Sequence, residues 1–258
     1  MGYHVIKPPQ HLANYVRCFW ILEGDIPYQH HALADGLAEM VFHYHGTFNE
    51  IVDNREELSW RSGVQAQSQY ARRFVTHSAF GIFGVHLYPY TLTTLFNIPP
   101  EAMSGEMPDL YSLLGHEGTL LEEQVMVASD HQARVEILSR FIERKLRQCN
   151  SPLSKMSIAV KQTLERRGQI SVKEMAAEYG VSVRQFERSF KQFAGFSPKL
   201  YTRIVRFSNA VHTYKNAPTT LTDLAYTFGY YDQAHFIEDF KTFSGVSPRQ
   251  YFTSIKHD

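Results

Sequence analysis

Cysteine is scarce in this sequence, and long apolar runs are missing. Of the 258 residues only Cys18 and Cys149 are cysteines, too few for a disulfide framework or a cysteine-based zinc site. No stretch approaches the roughly 18 consecutive apolar residues of a membrane helix, and the N-terminus lacks the basic and apolar regions of a secretory signal. We therefore expect a cytoplasmic protein that does not enter a membrane.

Several enzyme motifs are also missing. The chain has no phosphate-binding or dinucleotide-binding glycine loop, no GxSxG nucleophile motif and no HExxH zinc motif. We expect no cofactor and no catalytic activity.

The net charge of zero hides an uneven distribution. Residues 1–150 carry 11 basic and 17 acidic side chains, a net charge of −6, whereas residues 151–258 carry 15 and 9, a net charge of +6. A basic half is the electrostatic signature of a phosphate-binding module. This division predicts two domains, 1–150 and 151–258, of which the second binds double-stranded DNA.

The basic half contains a duplicated pattern. The segment "FAGFSPKLY" at 193–201 returns as "FSGVSPRQY" at 243–251. The copies extend backwards to 174 and 223, and one residue is inserted in the second copy, between a shared glycine and the helix that follows it. Each copy has a short apolar helix, that glycine, a capping residue and a helix with a phenylalanine stripe.

Such a pattern is typical of a helix-turn-helix, whose second helix enters the DNA major groove. We place the two units at about 171–194 and 220–243. A continuous helix is predicted between them, because apolar residues recur there at helical spacing, at Leu200, Ile204, Phe207, Val211 and Tyr214.

The candidate DNA contacts lie on the outer faces of the second helices, at the capping position before the first of them, and on the helix between the two units. Base-reading candidates are Ser182, Arg184, Gln185, Arg188, Gln233, His235 and Glu238. Phosphate candidates are Lys191, Arg203, Arg206 and Lys241.

Across about residues 153–253, the doubled pattern "G[VY]…F…FK.F.G.SP..Y" resembles the DNA-binding domain of AraC/XylS-type bacterial transcriptional regulators. The resemblance implies sequence-specific DNA binding, an unknown small-molecule effector, a homodimer and RNA polymerase as a further partner. Glu238 departs from the family, which usually has a basic residue there, and Asp239 adds a second acidic residue beside it.

The N-terminal half is predicted to be rich in strands. Strand-like runs occur at 15–24, 39–45, 73–77 and 80–90, and the pattern turns helical from about residue 117. An apolar stripe of Val135, Leu138, Ile142 and Leu146 either mediates self-association or covers the strands as a lid. The expected fold class is α+β, and the runs "DGLAEMVFHY" and "FGIFGVHLYP" resemble an N-terminal domain of uncharacterised family members.

Histidines in this half suggest a metal or ligand site. "HYHGTFNE" approaches the cupin signature, with His43 and His45 on one strand face, Glu50 after a spacer of four residues and His86 as a fourth ligand. The other interpretation is a ligand pocket, whose candidate residues are Trp20, His43, Tyr44, His45, His86 and Tyr88. A metal-dependent cupin-type enzyme fused to a DNA-binding domain is therefore the alternative function.

Overall fold

A computed structural model describes residues 2–149, 152–216 and 219–255. The chain divides into two units: the first comprises Met1–Ala32, Leu37–Gln67 and Arg72–Leu153, and the second comprises Leu33–Gly36, Ser68–Ala71 and Ser154–Asp258. The predicted domain boundary, 150/151, falls on residues outside the described ranges.

Within its described residues, the first unit has nine strands. They are β1 (Gly2–Ile6), β2 (Val16–Gly24), β3 (Tyr28–Ala32), β4 (Ala38–His45), β5 (Asn49–Val52), β6 (Arg55–Leu58), β7 (Ser62–Gln65), β8 (Arg72–Thr76) and β9 (Phe80–Leu87). A five-stranded antiparallel sheet has the order β1-β2-β9-β4-β7, and a four-stranded sheet has the order β3-β8-β5-β6. The four strand predictions correspond to β2, β4, β8 and β9.

Alternation along β2 explains how the larger sheet is buried on both faces. Phe19 and Ile21 join one apolar cluster, while Trp20 and Leu22 join a second cluster that includes Phe74 of the smaller sheet. A strand buried on both faces reads as a nearly continuous apolar run, which is why β2 was visible in the sequence.

Helices cover the face of the larger sheet that carries Phe19 and Ile21, opposite the face that packs with the smaller sheet. They are α1 (Thr91–Phe96), α2 (Pro100–Met103), α3 (Leu110–Leu114), α4 (His116–Met126) and α5 (His131–Cys149). Val135, Leu138 and Ile142 of α5 are buried in the same cluster as Phe42 and Phe83 of the sheet, and Leu146 packs against it. Of the two roles that the stripe allowed, the structure therefore shows the lid.

The second unit is helical. Its helices are α6 (Lys155–Glu165), α7 (Val172–Glu178), α8 (Val183–Ala194), α9 (Pro198–Asn216), α10 (Leu221–Thr227), α11 (Gln233–Ser244) and α12 (Pro248–Ile255). The predicted linker helix corresponds to α9, with Ile204 and Phe207 fully buried. Together the two units confirm the α+β class. No helix within residues 2–149, 152–216 and 219–255 is long and apolar enough to cross a membrane.

The short segments Leu33–Gly36 and Ser68–Ala71 belong to the second unit together with these helices. Asp35 and Ser68 form an isolated antiparallel bridge between the segments. The Ala34 N–H donates to the Phe243 carbonyl over 3.1 Å, and the Tyr201 hydroxyl donates to the Gly36 carbonyl over 2.9 Å. These bonds satisfy buried polar groups of the second unit.

An ion pair with a buried carboxylate joins α9 to α11. Asp239 is fully buried, and Arg203 donates to its carboxylate from Nη2 over 2.6 Å and from Nε over 3.1 Å. The guanidinium also lies 5.4 Å from the centre of the Phe243 ring. Asp239 therefore does not add charge to the outer face of α11, contrary to the expectation from sequence.

We expect Arg203→Ala to destabilise the second unit by about 3–5 kcal/mol, because it leaves the Asp239 carboxylate buried without its partner. The double variant Arg203→Ala/Asp239→Ala should be more stable than Arg203→Ala, since no unpaired charge then remains. Chemical denaturation of the full chain, followed by helical circular dichroism, measures both. A double variant no more stable than Arg203→Ala would contradict the role of the pair.

Candidate nucleic-acid interface

The two helix-turn-helix units share the same turn. Gly180 and Gly229 follow α7 and α10 with φ of +65° and +69°, a region that favours glycine. The next N–H then donates back into the first helix, from Val181 to the Ala176 carbonyl over 3.1 Å and from Tyr230 to the Ala225 carbonyl over 2.9 Å. The matching bonds confirm that the duplicated pattern encodes one structure twice.

Capping side chains fix where each helix begins. Ser171 and Thr220 form capping boxes at the first helices, with Glu174 and Asp223 as their partners. At the second helix of the first helix-turn-helix, the Ser182 hydroxyl accepts the Gln185 N–H. The Asp232 carboxylate accepts the His235 N–H at the corresponding place in the second helix-turn-helix. Ser182 therefore has a structural role besides the base contact predicted for it.

Helix α8 presents the predicted contact residues to solvent. Phe186 and Phe190 are fully buried on one side of the helix. On the other side four candidates are exposed, namely Arg184, Gln185, Arg188 and Lys191. The exposed charged side chains of α8 are three basic and one acidic, so this face attracts phosphate.

Helix α11 presents a different face. Gln233 is exposed and accepts a hydrogen bond from Thr222 over 2.9 Å, while His235 is half-buried with its ring centre 5.3 Å from that of Tyr230. Glu238 and Lys241 are the exposed charged side chains of this helix, and their charges cancel. The second recognition face therefore lacks the positive charge of the first.

Two phosphate candidates on α9 contact other residues of the second structural unit. Arg203 pairs with Asp239, as described above, and Arg206 donates to the Gly229 carbonyl over 2.9 Å with its guanidinium 5.0 Å from the Tyr230 ring centre. Both side chains fasten α9 to the second helix-turn-helix. The spacing of residues along α9 did not predict these contacts. Asp239, the partner of Arg203, has the sequence context of a surface residue, and the partner of Arg206 is a backbone carbonyl.

The four metal candidates of the first unit are not brought together. A bulge between His43 and His45 interrupts the strand pairing with β9, so the alternation that placed both on one face fails. His43 is buried beside Phe48 and Trp60, while His45 is exposed.

The other two metal candidates have partners of their own. Arg72 donates to Glu50 over 2.7 Å. His86 Nε2 lies 2.8 Å from Glu39 Oε1. Burial opposes the charge of His86, but Glu39 and Cys18 together outweigh it and hold the pKa of His86 well above its usual range. A protonated imidazole does not bind a metal. Among the described residues, no group of three or more potential ligands is placed to hold a metal ion.

The ligand-pocket candidates are divided between two faces of the larger sheet. Trp20 and Tyr44 belong to opposite clusters, and Tyr88 is buried with its ring stacked on Tyr90 at 5.6 Å. The indole of Trp20 covers Gly84, where a Cβ atom would come within 2.3 Å of the ring. The six residues therefore do not line one pocket.

A groove between α4 and α5 was not predicted from the sequence. It has a volume of about 650 Å³, and its lining includes apolar side chains such as Leu121 and Phe141 together with Arg140, Arg144 and Glu117. The signal that could have found it is the pair of arginines four residues apart on the exposed face of α5.

Comparisons with known proteins match both units. Residues 175–254 match a family model described as a helix-turn-helix domain. The HTH-type transcriptional activator RhaS of Klebsiella pneumoniae is 33% identical over 81 residues, which are 31% of this chain and 29% of RhaS. The C-terminal domain is of the AraC/XylS type. Residues 4–107 match a family described as a domain of unknown function, DUF6597, which agrees with the predicted resemblance of the N-terminal half to an uncharacterised domain.

Solved structures resemble the chain as well. ToxT from Vibrio cholerae is 14% identical, with 90% of this chain and 97% of ToxT covered and a TM-score of 0.48. The DNA-binding domain of AdpA, solved with a target DNA, is 22% identical, with 41% of this chain and 96% of that domain covered and a TM-score of 0.38. The matched part of this chain spans less than a third of the curated relatives.

Acid should destabilise the first unit through His43. Burial lowers the pKa of His43 to about 4, whereas an unfolded histidine titrates near 6.5. The unfolded chain therefore takes up a proton first as the pH falls, and about 3 kcal/mol of stability, complete above pH 6.5, is lost between about pH 6.5 and 4. We expect His43→Leu to remove this loss, measured by denaturation at several pH values.

The control is His45→Leu, which replaces an exposed histidine of the same strand. It should leave the pH dependence of the wild-type chain unchanged. A His43→Leu variant with the same acid sensitivity as wild type would contradict the assignment.

Proposed function

We propose that the chain is a sequence-specific, DNA-binding transcriptional regulator. The observation that carries this proposal is the exposed face of α8, where Arg184, Gln185 and Arg188 point away from two fully buried phenylalanines. Arginine and glutamine are the side chains that read guanine and adenine in the major groove. The AraC/XylS-type domain supports the same function.

The residues of α8 have distinct roles in this proposal. Arg188 lies in the middle of the recognition helix and reaches guanine O6 and N7 with a bidentate contact. Gln185, one turn earlier, suits adenine N6 and N7, and Lys191 near the end of the helix suits a phosphate. In the second helix-turn-helix, Glu238 can accept a hydrogen bond from cytosine N4, and Lys241 suits a phosphate.

The first unit supports a regulatory role. The groove between α4 and α5 has the volume of a small-molecule site. Of its two arginines, Arg144 pairs with Glu117 over 2.7 Å, so Arg140 is the cation that favours a ligand with an anionic group. A thermal-shift screen of the full chain with apolar carboxylates tests this, and no stabilisation by any of them would count against it. A homodimer and a contact with RNA polymerase stay predictions.

The alternative, a metal-dependent cupin-type enzyme, loses its support. His86 and Glu50 have charged partners, and His43 and His45 are separated by the bulge. Metal analysis of the purified protein distinguishes the two functions, because the enzyme requires a stoichiometric transition metal.

Arg188→Ala tests which residue reads bases. We expect it to cost about 1–3 kcal/mol of binding free energy and to relax the preference at one base pair. The affinity of the full chain for duplexes selected from a random pool, compared with single-base variants of them, measures both effects. Arg17→Ala is the matched control, since it removes an exposed arginine of the first unit and should not change affinity. Equal binding by Arg188→Ala and wild type would remove Arg188 from the interface.

Glu238→Arg tests the second recognition helix. We expect tighter binding with little added sequence preference, because the change removes a repulsive charge and adds a phosphate contact. The slope of log affinity against log salt should steepen by about one unit. Weaker binding to the selected duplexes would instead show that Glu238 reads a base. The second helix-turn-helix, not the first, would then be the main reader of sequence.

A further inference from the structure

The turn geometry that the two helix-turn-helix copies share identifies the inserted residue of the second copy. Gly180 corresponds to Gly229, and Val181 corresponds to Tyr230, because the N–H groups of Val181 and Tyr230 make the same bond to the first helix. The capping residues Ser182 and Asp232 then begin the recognition helices. Tyr231 is the residue left without a counterpart.

Tyr231 stands out by its exposure. Its side chain is 87% exposed, the highest fraction of any large apolar or aromatic residue in the described ranges, whereas the neighbouring Tyr230 is 4% exposed and fills the interior. An aromatic ring left in water gains nothing from folding. The insertion therefore adds a residue that the unit does not need for packing.

The place of Tyr231 is the end of the recognition helix that approaches DNA. It directly precedes the capping residue Asp232, and helix-turn-helix proteins put the N-terminal residues of this helix against the base edges. Strands of the DNA backbone border the groove at that point. A tyrosine there carries a phenol O–H that can donate a hydrogen bond to a phosphate oxygen.

The charge of α11 favours a contact that does not depend on cations. Glu238 and Lys241 leave its outer face without net charge, whereas α8 has an excess of basic side chains. Phosphates are also held by uncharged donors, tyrosine among them. A hydroxyl can bind the second helix-turn-helix to the DNA backbone, where the first helix-turn-helix uses cations.

We propose that Tyr231 binds the DNA backbone, its phenol O–H donating a hydrogen bond to a phosphate oxygen beside the major groove. This inference rests on the proposed DNA-binding function. A neutral donor displaces no counterion, so it strengthens binding without steepening the salt dependence. The contact also carries no sequence information and positions α11 rather than reading bases.

Tyr231→Phe is the direct test, because it removes the hydroxyl and keeps the exposed ring. The full chain and the variant are compared on the selected duplexes and on unrelated duplexes, at several salt concentrations. We expect about a tenfold loss of affinity on every duplex, which corresponds to about 1.4 kcal/mol, with the salt slope unchanged. Lys241→Ala should instead reduce the slope by about one unit.

Tyr111→Phe is the matched control, since Tyr111 is a similarly exposed tyrosine of the first unit, and it should bind as wild type does. Thermal unfolding checks that both variants keep wild-type stability. The proposal is overturned if Tyr231→Phe binds as tightly as wild type, if it changes the salt slope, or if it alters preference at a single base pair. A wild-type chain that binds no duplex at low salt would instead refute the proposed function itself.

Discussion

Burial of phenylalanine on one side of each recognition helix is the constraint on which the rest of the DNA-binding unit depends. Phe186 and Phe190 of α8, and Phe236 and Phe240 of α11, have no exposed surface. A helix held by two buried rings a turn apart cannot rotate about its axis without exposing them. The residues that face outwards, and therefore all contacts with a partner, follow from that one orientation.

The two copies of the motif keep this framework and differ in what surrounds it. The first copy places an excess of basic side chains on the outer face, and the second places an acidic residue beside a basic one. Inside, the second copy has Asp239 among aromatic rings, and Arg203 neutralises it from α9. Duplication has preserved the backbone while the charge on both sides of α11 has changed.

Sequence periodicity predicted those features whose pattern is local. The spacing of the phenylalanines and the shared glycine predicted both helix-turn-helix units, and apolar runs predicted the strands that are buried on both faces. Short strands such as β5 and β6 were missed because their residues are partly or wholly exposed and do not alternate. The histidine pair failed for a different reason, since the bulge near Tyr44 is a property of the pairing between β4 and β9. The burial of Asp239 also depends on a partner 36 residues away.

Helix α9 connects the two copies over 19 residues without a break. Near its start the Tyr201 ring lies 5.5 Å from Phe190 of the first copy, and two positions later Arg203 engages the second copy. One residue added between these positions would turn the second copy by about 100° around the helix axis and advance it by about 1.5 Å. Exposed side chains of α9 that neither pack nor pair can therefore be exchanged during evolution, but the length of this connection cannot change without putting the two recognition helices out of phase with a single face of the DNA.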